Sequence, residues 1–299
     1  MNFEDSKQYI LNHKRAFVIT VGNYKGGAGK TSNSILIAYK LSKMGIKTLV
    51  ADLDPQTNAT KALLLTKSNQ SDSITTVKNT IMAGVAEGSF ENLPIKILNN
   101  LYLLPSFTDF EDFPKYIYKN AATEYEESHV LKPLFQPLKK KFNVILLDVP
   151  PMSKEVTENA LVASDYTLIS FQTQERSLTG AENYIADLLK YKDKFNLNID
   201  IMGILPVLQN KTGSVDQAML RAVKEKFGEE NLFHSIVPHM ERIKRFDITG
   251  ITDHDRFDKS VMDKYEEVTQ EFVCRLANID QEEGWCNYGQ PFRSTKKAG

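Results

Sequence analysis

The chain opens its pattern with an unbroken apolar, β-branched run over residues 16–21 that stops at Gly22, passes through a glycine-rich stretch at 23–31, and resumes with apolar residues at helical spacing through Ile35, Leu36, Ala38, Tyr39, Leu41 and Met44. This order predicts strand, loop and helix, with Gly45 just beyond the helix C-terminus. A second apolar run over 47–53 predicts a strand that delivers Asp52, Asp54, Pro55 and Gln56 to its C-terminal end, within reach of a ligand on the first loop. The three elements make a βαβ unit.

The alternation continues downstream. The pattern predicts a polar loop at 66–73, a helix at 75–87, and a short strand at 100–104 before Pro105. It then predicts a helix over 124–142 interrupted by Pro133 and Pro137, and a buried strand over 143–147 that ends in Asp148-Val149-Pro150-Pro151. Helices at 153–163, 179–194 and 215–227 alternate with strands at 166–171 and 199–205. A last strand is expected at 233–237, a closing amphipathic helix at 258–277, and a short helix at 3–11 lying over the sheet or a dimer. Such alternation argues an α/β architecture, a single-domain, doubly wound, mostly parallel sheet with helices on both faces and ligands at its C-terminal strand ends. With no repeat or composition break to mark a linker, the expected division is an N-terminal extension at 1–15, one domain at 16–279 and a loose tail at 280–299.

Composition narrows the classes. At 299 residues, 41% hydrophobic and 25% charged, the chain is neither disordered nor fibrous. A formal net charge of -1 means that nucleic acid or anionic lipid would have to be met by a local patch. Cys274 and Cys286, both late in the chain, lack metal-ligand spacing, so neither a disulfide framework nor a four-cysteine zinc site is available and a reducing, cytoplasmic setting is expected. Charged residues in the first 14 positions and the lack of any long apolar stretch argue against a signal peptide or a membrane span.

The chemistry concentrates at the predicted strand ends. An ordinary phosphate loop, laid back from Gly29-Lys30-Thr31, needs glycine where Tyr24 stands. The segment Lys25-Gly26-Gly27-Ala28-Gly29-Lys30-Thr31 instead resembles the deviant P-loop K-G-G-x-G-K-[ST] of the ParA/MinD family of ATPases. Small residues there let backbone N–H groups approach a polyphosphate while the helix that follows points its positive end at it, Lys30 reaches the β and γ phosphates, and the Thr31 hydroxyl suits Mg²⁺. Asp148-Val149-Pro150-Pro151 is similar to the family's D-x-P-P, which makes Asp148 a Walker B acid. Asp52-Leu53-Asp54-Pro55-Gln56 is similar to its D-x-D-P-Q, although Thr57 stands where glycine is usual.

With agreement also at Gly180 and at Val237-Pro238, the resemblance runs from Phe17 to Leu276 and implies a P-loop ATPase that binds ATP and Mg²⁺. It implies a nucleotide site of Gly26, Gly27, Ala28, Gly29, Lys30, Thr31 and Ser32, with Pro238, His239 and Met240 at the adenine, and Thr31, Asp52 and Asp148 around the metal. Asp54 would position or deprotonate the attacking water, and Lys25 would act in trans, each subunit of an ATP-sandwiched homodimer donating it to its partner's phosphates. Lys211, Arg242, Lys244 and Arg245 resemble the basic positions by which partition dimers hold DNA without reading bases, and Arg221, Lys224 and Lys226 would extend that patch.

The implied role is a nucleotide-timed, nucleoid-associated switch in plasmid or chromosome partition, with a slow ATPase stimulated by a centromere-binding adaptor, ParB-like or ribbon-helix-helix. Residues 1–15 are too few for a helix-turn-helix, which resembles plasmid partition ATPases that lack one and work with small adaptors such as the delta-type proteins. Three other outputs of the scaffold compete. A MinD-like membrane switch needs a basic, apolar C-terminal helix that residues 282–287 do not supply. An iron-sulfur reductase needs central cysteines. A dethiobiotin- or cobyrinate-type ligase has no evident use for Lys25.

Overall fold

The middle strand, β1 (Phe17–Gly22), has every residue buried in the computed structural model, which describes residues 1–70, 76–208 and 213–281. It pairs in parallel with β5 (Val144–Asp148) on one side and β6 (Tyr166–Gln172) on the other. Beyond β5 lie β2 (Thr48–Asp52) and β4 (Leu101–Leu104), both parallel, and then β3 (Ile95–Leu98), antiparallel to β4. Beyond β6 lies β7 (Asp200–Val207), so the seven-stranded order is β3-β4-β2-β5-β1-β6-β7. Continuous apolar strands of this kind need cover on both faces. The mostly parallel, two-faced sheet read from the alternation is therefore the fold observed.

The period of two decides which helices each face carries. Ile19 and Val21 of β1 join Val50 and Leu146 in a core closed by α2 (Lys30–Lys43), α3 (Asn58–Ser68) and α12 (Arg256–Gln281). Val18 joins Leu49, Ala51, Ile145 and Leu147 on the opposite face, under α4 (Ile81–Glu87), α5 (Phe113–Asn120), α7 (Leu131–Lys139) and α8 (Lys154–Ala163). A third core, with Ile169, Phe171 and Ile201, lies under α9 (Glu175–Phe195) and α10 (Ser214–Phe227).

Several expectations shift. The loop read at 66–73 starts inside α3, because Thr66 is fully buried with its hydroxyl donating to the Ala62 carbonyl at 2.7 Å and accepting the Ile251 amide at 2.8 Å. Positions 71–73 of that loop and the first position of the helix read at 75–87 lie outside the described residues; the described part of the helix begins at Ile81, capped by the Thr80 hydroxyl, which accepts the Ala83 amide. The break in the 124–142 helix falls at 129–130, between α6 (Glu124–Ser128) and α7, rather than at a proline: Pro133 occupies the first turn of α7, where a missing N–H costs nothing. No strand forms at 233–237. The segment touches the edge of β7 through one isolated bridge at Val237, with another at Leu232 just before it, and the Glu271 carboxylate takes the amides of His234 and Ser235 at 2.9 and 2.8 Å, bonds that a strand would otherwise spend on the ladder. The charged α11 (Glu241–Thr249) was not predicted, since Phe246 is its one buried hydrophobic residue.

α1 (Phe3–Asn12) is the short helix expected near the N-terminus, and it packs along α12. Ile10 is fully buried there, and the Asp280 carboxylate accepts the hydroxyls of Tyr9 at 2.5 Å and Tyr166 at 2.9 Å. α12 itself runs to Gln281, past the expected domain end at 279, and the remainder of the expected tail lies outside the described residues. Ile10→Ala should therefore cost about 2–4 kcal/mol of stability, as for any buried aliphatic cut to alanine. Urea unfolding would read this as a lower midpoint at unchanged slope, and an unchanged midpoint would show that α1 contributes nothing to the fold.

Candidate nucleotide site

β1 ends at Gly22, and the chain turns through residues 23–29 into α2, whose first residue is Lys30. Gly27 and Gly29 take φ of 73° and 82°, a left-handed backbone that suits glycine. A Cβ built on Gly26 or Gly27 would meet nothing within 4 Å, so the outer side of the loop is open. Among the described residues no acceptor takes the amides of Gly26, Gly27 or Gly29, and residues 26–27 form a tight turn. Free N–H groups in a turn at a helix N-terminus form an anion nest. The underside is braced: Ser170 of β6 donates to the Ala28 carbonyl at 2.5 Å, Asn33 donates to Ser170 Oγ at 2.8 Å, and the Tyr265 hydroxyl of α12 donates to Asn33 Oδ1 at 2.7 Å. These three residues carried no sequence motif. Their role depends on contacts between segments far apart in the chain.

Strand register brings the acids together. Asp52 and Asp148 are direct partners at the ends of β2 and β5, and both are fully buried. Asp52 accepts the amides of Asp54 at 3.1 Å and Thr60 at 2.8 Å. Asp148 accepts the Ser34 hydroxyl at 3.2 Å on one oxygen, while its Oδ2 is buried without a hydrogen-bond partner. Ser34 sits one turn along α2 from Lys30, on the same helix face, a spacing that would have flagged it. Burial raises the proton affinity of the Asp148 carboxyl and repulsion from Asp52 adds to it, while the Thr31 hydroxyl and Lys30 pull it back. Burial likewise raises Asp52, offset in part by hydrogen bonds from Thr60 and Asp54. Lys30 is 6% exposed, with Nζ at 3.4 Å from the Lys25 carbonyl; burial pushes its pKa down, and the fields of Asp148 and Asp54 oppose that shift. Asp54, 8% exposed, accepts the Gln56 amide at 2.9 Å.

The structure thus gathers Lys30, Thr31, Asp52, Asp54 and Asp148 around one point beside the loop. Ser32 is half-buried on α2. Lys25 is half-buried at the loop entrance, its Nζ donating to the Gly26 carbonyl at 2.8 Å. Mg²⁺ fits this set on its own chemistry, because an unpartnered buried carboxylate oxygen beside a second carboxylate and a hydroxyl is a hard-cation environment. Pro238, His239 and Met240 follow Val237, which bridges Val207; the Val207 side chain lies 3.5 Å from where a Gly29 Cβ would be, which puts the segment next to the loop. His239 itself pairs with Glu241 at 3.2 Å, and Met240 is half-buried against the core.

The basic positions separate. Arg242, expected on a nucleic-acid face, is instead 17% exposed and bound to Asp258 at 2.5 Å and Asp255 at 2.9 Å. Asp258 is fully buried and also takes the Thr252 hydroxyl and the His254 amide, so the guanidinium is held as the counter-ion of this carboxylate in the first turn of α12. Lys244 is exposed beside Glu241 at 3.1 Å, and Arg245 is exposed with no ion pair among the described residues. Lys224 and Lys226 pair with Glu229 and Glu182, while Arg221 is exposed. Lys211 lies outside the described residues.

Two outcomes follow from this geometry. Because Asp52 and Asp148 hold protons in the folded state at pH values where the unfolded chain has released them, unfolding free energy in metal-free buffer should fall as pH rises from about 4 toward the raised Asp148 midpoint. Asp148→Asn should flatten that slope and raise the urea midpoint at alkaline pH in chelator, and an unaltered slope would refute the buried-pair account. Thr57 stands at φ 59° without a side-chain cap bond. Thr57→Gly relieves left-handed strain of about 1–2 kcal/mol against a backbone-entropy cost of about 0.5–1 kcal/mol. Thermal unfolding should therefore show a small gain, and a loss would mean that the threonine side chain contributes more than the strain removes.

Comparison with known proteins agrees with this fold. The model of the AAA_31 family, described as an AAA domain, matches residues 16–201, more than half of the chain. A chromosome partitioning protein ParA of Myxococcus xanthus is 26% identical over 232 residues, 76% of this chain and 76% of that protein. Among solved structures, a putative plasmid partition protein from Borrelia burgdorferi bound to AMPPNP superposes with a TM-score of 0.70 at 22% identity, covering 87% of this chain and 99% of its own. Cobyrinic acid a,c-diamide synthase from Mycobacterium smegmatis, with an ATP analogue and magnesium, superposes with a TM-score of 0.67 at 19% identity, covering 85% and 92%. The chain therefore belongs to the AAA_31 family, as a P-loop protein of the ParA/MinD type.

Proposed function

We propose that this protein is a partition ATPase whose ATP-bound form is a face-to-face homodimer that holds DNA without sequence preference. The observation that carries the reading is Lys25, a second lysine at the entrance of a loop that already has Lys30 buried at its base. An intramolecular phosphate site needs one such cation; a second at the open rim, half-buried and bonded to its neighbour's carbonyl, supports a role toward phosphates approaching from outside the subunit. The loop amides and Lys30 bind the polyphosphate, Thr31 with Asp148 and Asp52 would hold Mg²⁺, and Asp54 orients the water. Mg²⁺ bound there would neutralise charge on the phosphate oxygens. Pro238, His239 and Met240 border the base.

Loss of the γ-phosphate removes the contact that favours the dimer, which makes nucleotide state the switch. Lys244 and Arg245, exposed on α11, support the DNA contact, and association with the nucleoid follows from it. A centromere-binding adaptor of the ParB or ribbon-helix-helix kind would accelerate a slow hydrolysis. The partition proteins among the relatives and neighbours support this output. Among the described residues no helix is long and apolar enough to cross a membrane.

DNA binding measured with ATP, ADP and a non-hydrolysable analogue across a salt series tests the reading. Wild type should bind only with the triphosphate, and affinity should fall steeply with salt. Lys25→Ala should abolish binding by abolishing the dimer, and Lys244→Ala with Arg245→Ala should weaken it while leaving the dimer intact. Arg242→Ala should chiefly lower thermal stability, since it strands the buried Asp258 charge. No DNA binding in any nucleotide state would defeat the partition reading and turn attention to small-molecule ligase chemistry on the same fold.

A further inference from the structure

Tyr24 breaks the ordinary phosphate-loop pattern, and nothing in the nucleotide chemistry above uses it. In the fold it is tethered. Its hydroxyl donates to Asp187 Oδ2 of α9 at 2.7 Å, and its ring meets Tyr184 edge-on, centroids 5.4 Å apart at 75°. Gly180, Tyr184 and Asp187 are spaced to lie on one face of α9, and that face carries the whole entrance of the loop. A Cβ on Gly22 would come within 2.1 Å of the Tyr184 ring; one on Gly180 would come within 2.7 Å of Asn23 Oδ1 and 3.3 Å of the Lys25 amide. Asn23 in turn accepts the Lys25 amide at 2.9 Å and donates to the Ser170 carbonyl at 2.9 Å.

The backbone up to Lys25 is therefore clamped between β6 and α9, whereas Gly26 and Gly27, directly after it, face open space. Lys25 is the last held residue before the free rim. A long lysine side chain pays a large entropy to reach a fixed point, and fixing its Cα reduces the volume its ammonium must search. A tyrosine donating to an ionised carboxylate makes a charge-assisted bond, stronger than a neutral one, and the neighbouring bulk of Tyr184 leaves Tyr24 little room for another rotamer.

We infer that Tyr24 is a positioning residue for Lys25, acting through its hydrogen bond to Asp187 on α9 and so setting where the lysine projects toward the partner subunit. The inference rests on the reading in which Lys25 serves the other subunit's nucleotide. It assigns Tyr24 no contact with the nucleotide, so binding of nucleotide to a single subunit and formation of the ATP dimer should respond differently to its loss.

The test compares wild type, Tyr24→Phe, Asp187→Ala, Asp187→Asn, the Tyr24→Phe/Asp187→Ala double variant and Lys25→Ala. Each is checked for fold by circular dichroism and thermal unfolding. A fluorescent ADP with Mg²⁺ is titrated at protein concentrations where the monomer prevails, and the dimer constant is measured by sedimentation with Mg²⁺ and a non-hydrolysable ATP analogue. Tyr24→Phe should leave ADP affinity within about twofold and weaken the dimer about tenfold, the size expected for one hydrogen bond to a charged group. Asp187→Ala should match it, the double variant should be no worse than either, and Asp187→Asn, whose neutral amide oxygen accepts the same hydroxyl in a weaker bond, should recover part of the lost dimer strength.

If Lys25→Ala loses the dimer while Tyr24→Phe keeps it at wild-type strength, this inference alone is overturned. If Lys25→Ala dimerises as wild type, the reading beneath it falls as well. Equal losses in ADP affinity and dimer strength for Tyr24→Phe would make the tether a general support of the loop, and would also overturn it.

Discussion

Two carboxylates excluded from water at neighbouring strand ends are the constraint around which this protein is organised. Parallel pairing of β2 with β5 sets Asp52 directly beside Asp148, and both are fully buried. Left ionised and alone, such a pair is costly. The fold meets part of that cost with amides from Asp54 and Thr60, a hydroxyl from Ser34 and the ammonium of Lys30 nearby, yet it leaves one Asp148 oxygen without a partner. Without metal, protons meet the remainder, and a cation arriving from the loop side would take their place. A site that is incomplete by itself is one whose shape and stability respond to what binds there.

The rest of the architecture holds that point still. The sheet supplies rigidity because each face of β1 is closed by a separate core, and the loop that leaves β1 is braced from beneath by Ser170, Asn33 and Tyr265, contributed by β6, α2 and α12. The glycines let the outer surface of the loop stay bare. Rigid below and open above, the loop can present amides to an anion with little reorganisation on binding. α1 and α12 clasp the opposite end of the sheet through Ile10 and Asp280, away from this chemistry.

Charge by itself was a poor guide to the surface. In the sequence, Arg242, Lys244 and Arg245 form one basic cluster; in the fold, Arg242 is the counter-ion of the buried Asp258, and the two others remain exposed. Asp258 lies sixteen positions along the chain from Arg242, so the pairing that occupies this half-buried arginine is invisible to any local reading. Lys224 and Lys226 also meet carboxylates, Glu229 and Glu182, but these pairs stay open to solvent.

Local pattern alone determined the alternation of strands and helices, the loop from Lys25 to Thr31 and the acids at the strand ends, because continuous apolar runs, glycine spacing and strand-terminal aspartates each reflect short-range physics. Among the elements that escaped it were the four-residue β3, the charged α11, the two-turn α5, which lies in a stretch for which no element was predicted, and α3, whose end was obscured by a threonine satisfied through a distant amide. Only tertiary structure could decide that Asp52 and Asp148 share a register, that Ser170 braces the loop, that Tyr24 is tied to Asp187, and that Arg242 is held in an ion pair with a buried carboxylate. Each of these depends on contacts between residues remote in sequence, and such contacts exist only once the sheet has fixed the distances between its helices.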